Sequence, residues 1–145
     1  MPAEGRSVMI ATEHGLTLCI AIALGAYMLA AGAGGIIDRS RWGAVLQELR
    51  ASQGLAFVAG VVTFTLGVVV ILVHNHWSDP LAGFISLVGW VAALEGLILL
   101  AYPKLLLDLS DRLMNPQFIN AFMSFAILLG ALLLLLGLTG TSGGG

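Results

Sequence analysis

Two places in this chain carry side chains able to bind a metal or hold a proton. The first is the run ILVHNHWSDP, residues 71–80, where His74, His76 and Asp79 stand beside Asn75 and Trp77. The second is Glu95, set in the apolar stretch GWVAALEGLILL. Neutral imidazoles joined by a carboxylate suit zinc or copper. Glu13 and His14 precede the first apolar run, so His14, His74, His76, Glu13 and Asp79 form a candidate metal set if one end of the molecule collects them. The H-x-H spacing is weak on a helix, where residues two apart diverge. A haem held by two of these histidines is disfavoured, because all three fall at one surface. No cofactor is expected.

The competing reading of this run is architectural. Asp79 followed by Pro80 is a helix start: the carboxylate caps free N–H groups and proline tolerates the first helical position. Asn115 and Pro116 repeat the device. His74 suits a helix C-terminus, and Asn75 is a residue that takes the left-handed conformation closing a helix. Trp77 is an interfacial anchor.

Glu95 is the only charged residue well inside an apolar run. Ionised in hydrocarbon without a partner, it costs about 3 kcal/mol or more. It is expected to be neutral or bonded to polar groups, and Tyr27, Thr63 and Ser124 fall at comparable depth. One reading makes it a proton or cation site; the other makes it hydrogen-bonding glue between helices. Small multidrug transporters of four short helices carry such a glutamate in their first span. The first span here has none, so that likeness is one of size only.

The elements that must position these groups are long and greasy. The 145 residues are 59% hydrophobic and 10% charged, against about 25% charged in an average soluble domain. A net charge of −2 offers no field for nucleic acid. Four runs, 15–37, 51–73, 81–102 and 118–138, are each long enough to cross a core of about 30 Å as helices. They lack the alternation of a barrel strand. No cleaved leader is expected, since the N-terminal flank is mixed in charge and the first run is too long. Cys19 reads as a small buried packing residue.

Five of the six basic residues, Arg39, Arg41, Arg50, Lys104 and Arg112, fall in the loops after spans one and three. The excess puts those loops in the cytoplasm, with both termini and the histidine turn outside. Both loops, DRSRWGAVLQELRASQG and PKLLLDLSDRLMNP, space their apolar residues like short amphipathic helices in the headgroup plane. Trp42, Trp77, Arg39, Arg41 and Lys104 are the expected interfacial anchors. At an offset of 63, Tyr27 meets Trp90, Arg41 meets Lys104, Leu46 meets Leu109, Glu48 meets Asp111 and Gly67 meets Gly130. This hints at a parallel repeat. Gly25, Gly60, Gly67, Gly89 and Gly96 mark close-packing faces, whereas span four looks bulky all round. The tail 139–145 is flexible by composition.

The order HNHW, then Gly89-Trp90, Gly96 and Pro103 resembles small bacterial inner-membrane proteins with an HN-x-W, GW, G, P pattern and no assigned activity. The resemblance covers the middle third of the chain and implies four helices and a bacterial inner membrane. The Glu95 position is not fixed as acidic in that pattern.

The sequence therefore predicts one all-α domain over 1–145. It is an up-down bundle of four transmembrane helices, built as two parallel hairpins with interfacial helices in the cytoplasmic loops. No nucleophile–base pair, phosphate loop or hydrolase motif appears, and no enzyme is expected. The expected role is an accessory or structural subunit against a larger membrane complex or copies of itself, with lipid and other subunits as partners. The alternative is a small proton- or cation-coupled transporter or channel using Glu95.

Overall fold

A computed structural model of the chain describes residues 3–77, 80–113 and 115–139, with side chains from residue 15 onward. The described residues form six helices and no strand: α1 (Ala3–Ile37), α2 (Arg39–Ala51), α3 (Gln53–Val73), α4 (Pro80–Ala101), α5 (Pro103–Leu113) and α6 (Pro116–Thr139). Four have the length and apolarity to cross a membrane: Gly15–Ile37 within α1, Gln53–Val73, Pro80–Ala101 and Pro116–Thr139. The chain is thus a multi-pass helical membrane protein. Residues 140–145 of the glycine-rich tail lie outside the described residues.

Local chemistry sets the joints. Asp38 caps α2, accepting the Ser40 N–H at 3.1 Å and its hydroxyl at 2.6 Å. Ser52 ends α2 and starts α3, its extended backbone making the corner and its hydroxyl accepting the Leu55 N–H at 3.2 Å. The span expected from residue 51 therefore begins two residues later. Pro80 and Pro116 stand first in their helices, where the missing N–H has no partner to lose. Asn115 accepts the Gln117 N–H at 3.2 Å. Asn75 does not take the left-handed conformation: no non-glycine residue among those described has positive φ. Its side chain instead accepts the Trp77 indole N–H at 3.0 Å.

The apolar helices pack as two tight pairs, α1 with α6 and α3 with α4, while α1 touches α4 more lightly. The sequence neighbours α1 and α3 do not form a close pair. Glycine makes both contacts possible. A Cβ on Gly25 would stand 2.8 Å from the Gly130 carbonyl oxygen, and one on Gly130 would stand 2.8 Å from that of Gly25. In the other pair, a Cβ on Gly67 would overlap the Ala93 backbone, and one on Gly96 that of Phe64. Gly89 faces Val70 and Gly60 faces Leu100.

The two pairs share one registry. Gly67 and Gly130 correspond at an offset of 63, whereas Gly25 and Gly89, and Gly32 and Gly96, correspond at 64. The offset changes because α5 is shorter than α2. Span four is not uniformly bulky. Met123, Ala126, Gly130, Leu133 and Gly137 form its buried stripe.

Two polar clamps join the pairs at opposite ends. At one end Arg50 of α2 reaches α5, binding Asp108 at 3.0 Å, Asp111 at 2.6 Å and the Leu107 carbonyl at 2.6 Å. At the other, His74 bridges α1, α3 and α4.

Candidate functional site

His74 caps α3, and its backbone N–H donates to the Val70 carbonyl at 2.7 Å. The residue is 1% exposed. Nε2 lies 2.7 Å from the Thr17 hydroxyl of α1, and Nδ1 lies 3.4 Å from the Ser86 hydroxyl of α4. Ser86 is fully buried. Its oxygen accepts the His76 N–H at 3.0 Å, and its proton has the carbonyls of His74 and His76 within 3.0 and 2.9 Å. By registry, the His74–Ser86 contact occupies the place of Gly137 against Ile22 in the other pair. Polar bonding at one site does what bare close packing does at the other. Sequence reading missed Ser86 and Thr17. Their signal was slight: lone hydroxyl residues near the outer ends of apolar runs.

The proposed metal ligands divide. The side chains of Glu13 and His14 and all of Asp79 lie outside the described residues. The rings of His74 and His76 meet edge to face with centroids 5.4 Å apart. Both His74 nitrogens already face hydroxyls. Among the described residues, no three His, Cys, Asp or Glu side chains gather as a metal site.

Glu95 is exposed on α4, beside Val91, Leu94 and Leu97, which are 50–59% exposed. The structure does not bring it to Tyr27, Thr63 or Ser124. Tyr27 is 67% exposed on α1, Ser124 is exposed on α6 and Thr63 is half-buried on α3. No described residue hydrogen-bonds Glu95. Its counterpart in the other pair is Ala31. Cys19 is also exposed rather than buried; against lipid, a small apolar thiol has no need of burial.

Of the anchor residues, Trp77 is 61% exposed, and Arg39, Arg41 and Lys104 are exposed. Trp42 is half-buried, its indole seated on Gly35, where a Cβ would stand 2.6 Å from Nε1. Gly25, Gly60, Gly67, Gly89 and Gly96 are all buried at helix contacts. On α5, Leu105, Leu109 and Leu113 are exposed, whereas Leu107 turns inward.

Comparison of the chain with protein-family models, with curated proteins and with solved structures finds no match.

Proposed function

We propose that this chain is a non-enzymatic subunit of a membrane assembly, packing against a larger complex or against copies of itself. The observation that carries the reading is the exposed, unbonded carboxyl of Glu95 within a membrane-spanning helix. Only 17–28% of the 18-residue apolar stretch in each span is buried within the chain. Lipid covers exposed leucine and valine without penalty, so apolar exposure by itself demands no partner. A carboxyl group differs. At the centre of a span it costs about 2.5–3.5 kcal/mol on insertion scales and less towards an end, as at Glu95 six residues before Ala101, and a hydrogen-bonding neighbour relieves that cost. With none supplied by the described residues, the neighbour comes from another chain.

In the same reading, α2 and α5 lie in the headgroup plane of a bacterial inner membrane. Leu105, Leu109 and Leu113 then face hydrocarbon, the arginine-bearing loops face the cytoplasm, and the termini and histidine turn face outside. The apolar helices form an up-down bundle. The second reading, transport of protons or cations, uses the same carboxyl as a binding group.

Native mass spectrometry after mild-detergent extraction tests the proposal. A stable assembly is expected. Glu95→Leu should weaken it by about 1–2 kcal/mol and Glu95→Gln, which keeps the hydrogen-bonding capacity, by less. A lone monomer for the unaltered protein contradicts the subunit reading. Loss of pH-driven flux in proteoliposomes on Glu95→Gln would favour transport instead.

A further inference from the structure

At the corner between α1 and α2 an open groove of about 510 Å³ is lined by Tyr27, Ala30, Ala31 and Gly34 of α1 and by Arg41 and Trp42 of α2. Its floor is small and apolar. A Cβ on Gly34 would meet nothing within 4 Å, so the surface there is open. One wall is fixed, because Trp42 is seated on Gly35. The groove runs from within the Gly15–Ile37 span to the first turn of α2 beyond it.

Each of its polar side chains can donate. The Arg41 guanidinium, the Trp42 indole N–H and the Tyr27 hydroxyl make no hydrogen bond within the described residues, and Arg41 makes no ion pair. Arg50, by contrast, is neutralised by two carboxylates and also donates to a carbonyl. Asp38 forms no contact ion pair with Arg41; its carboxylate is bonded to Ser40 and attracts the Arg41 guanidinium only at longer range. A cation with no counter-ion in direct contact therefore stands at the polar mouth of an apolar trough. The molecule that complements both parts has an anionic head and a hydrocarbon tail.

We infer that this groove binds an anionic phospholipid, its phosphate on Arg41 and an acyl chain along Ala30, Ala31 and Gly34. A basic residue at a membrane surface attracts anionic lipid, and a pocket between helices localises the attraction. The site depends on the membrane-spanning reading alone and is independent of the subunit proposal. An apolar helix of a partner would fill the trough but leave Arg41 without its counter-charge.

Trp42 reports on the site directly. With Trp77→Phe and Trp90→Phe it is the sole tryptophan. The full chain is reconstituted in phosphatidylcholine vesicles, and brominated phosphatidylglycerol or brominated phosphatidylcholine is added as quencher. The anionic lipid should be preferred by about fivefold, the effect of one basic residue. The preference should fall towards unity in Arg41→Gln, persist in Arg41→Lys and Arg39→Gln, and shrink in the unaltered site at high salt. Ala31→Leu should reduce quenching by both lipids. Equal quenching by the two lipids, or a preference that survives Arg41→Gln, overturns the inference. So does exclusion of both quenchers, which marks a protein occupant. Relief of quenching by soluble glycerol phosphate also overturns it, in favour of a free phosphate ligand.

Discussion

Ser86 has no aromatic ring and no charge, yet it organises the histidine turn. Removing its hydroxyl takes the partner from one His74 ring nitrogen in a buried setting and breaks a part-buried bond to the His76 N–H. Each unsatisfied buried group costs about 1–3 kcal/mol. Ser86→Ala should therefore destabilise the protein by that order in detergent unfolding, and Ser86→Thr by less if the hydroxyl is kept. Asp38 gives a pH-dependent counterpart. The Ser40 hydroxyl, aided by the Ser40 N–H, holds the Asp38 carboxyl below its usual 3.8. A depressed folded value means the cap contributes fully above that usual value and is lost as pH falls through the folded one. The amide resonances of the first turn of α2 should move on acidification below 3.8, and Asp38→Asn should abolish the step while keeping the cap. His74 as a cap was legible from its place at the end of an apolar run. Its burial was not, because that depends on Thr17 and Ser86 arriving from two other helices.

Among the helices, glycine position decides what tolerates change. Gly67 lies against the Ala93 backbone, which cannot step aside, whereas Gly34 faces open space. Gly67→Ala should cost about 1–3 kcal/mol through overpacking. Gly34→Ala should cost nothing measurable on the same detergent titration. The four apolar runs and both loop helices were legible because length, composition and helical spacing act locally. The pairing of α1 with α6 and α3 with α4 was not, since apolar helices carry no mark of their neighbour. Gly130 and Gly137, seven residues apart as Gly60 and Gly67 are, did carry that signal and were hidden by surrounding leucines. The repeat was legible at 63; the extra residue between α1 and α4 appears only once the contacts are known.

For the molecule as a whole, one solvent argument governs the rest. Most of the side surface of four long helices is apolar and exposed, which water does not allow and hydrocarbon does. Glu95 and Arg41 draw their meaning from that setting. In water an exposed glutamate is ordinary; within a span it calls for a neighbour. Sequence alone placed Glu95 within an apolar run but aimed it inward, because place along a helix follows from residue count and direction from packing. The decisive measurement is compartment labelling. Ser40→Cys and Asn75→Cys, each in a Cys19→Ala background, are treated with a membrane-impermeant maleimide in right-side-out and inverted vesicles. Labelling of Cys at 40 only from the inner face and at 75 only from the outer is expected; labelling of both from one face contradicts the account.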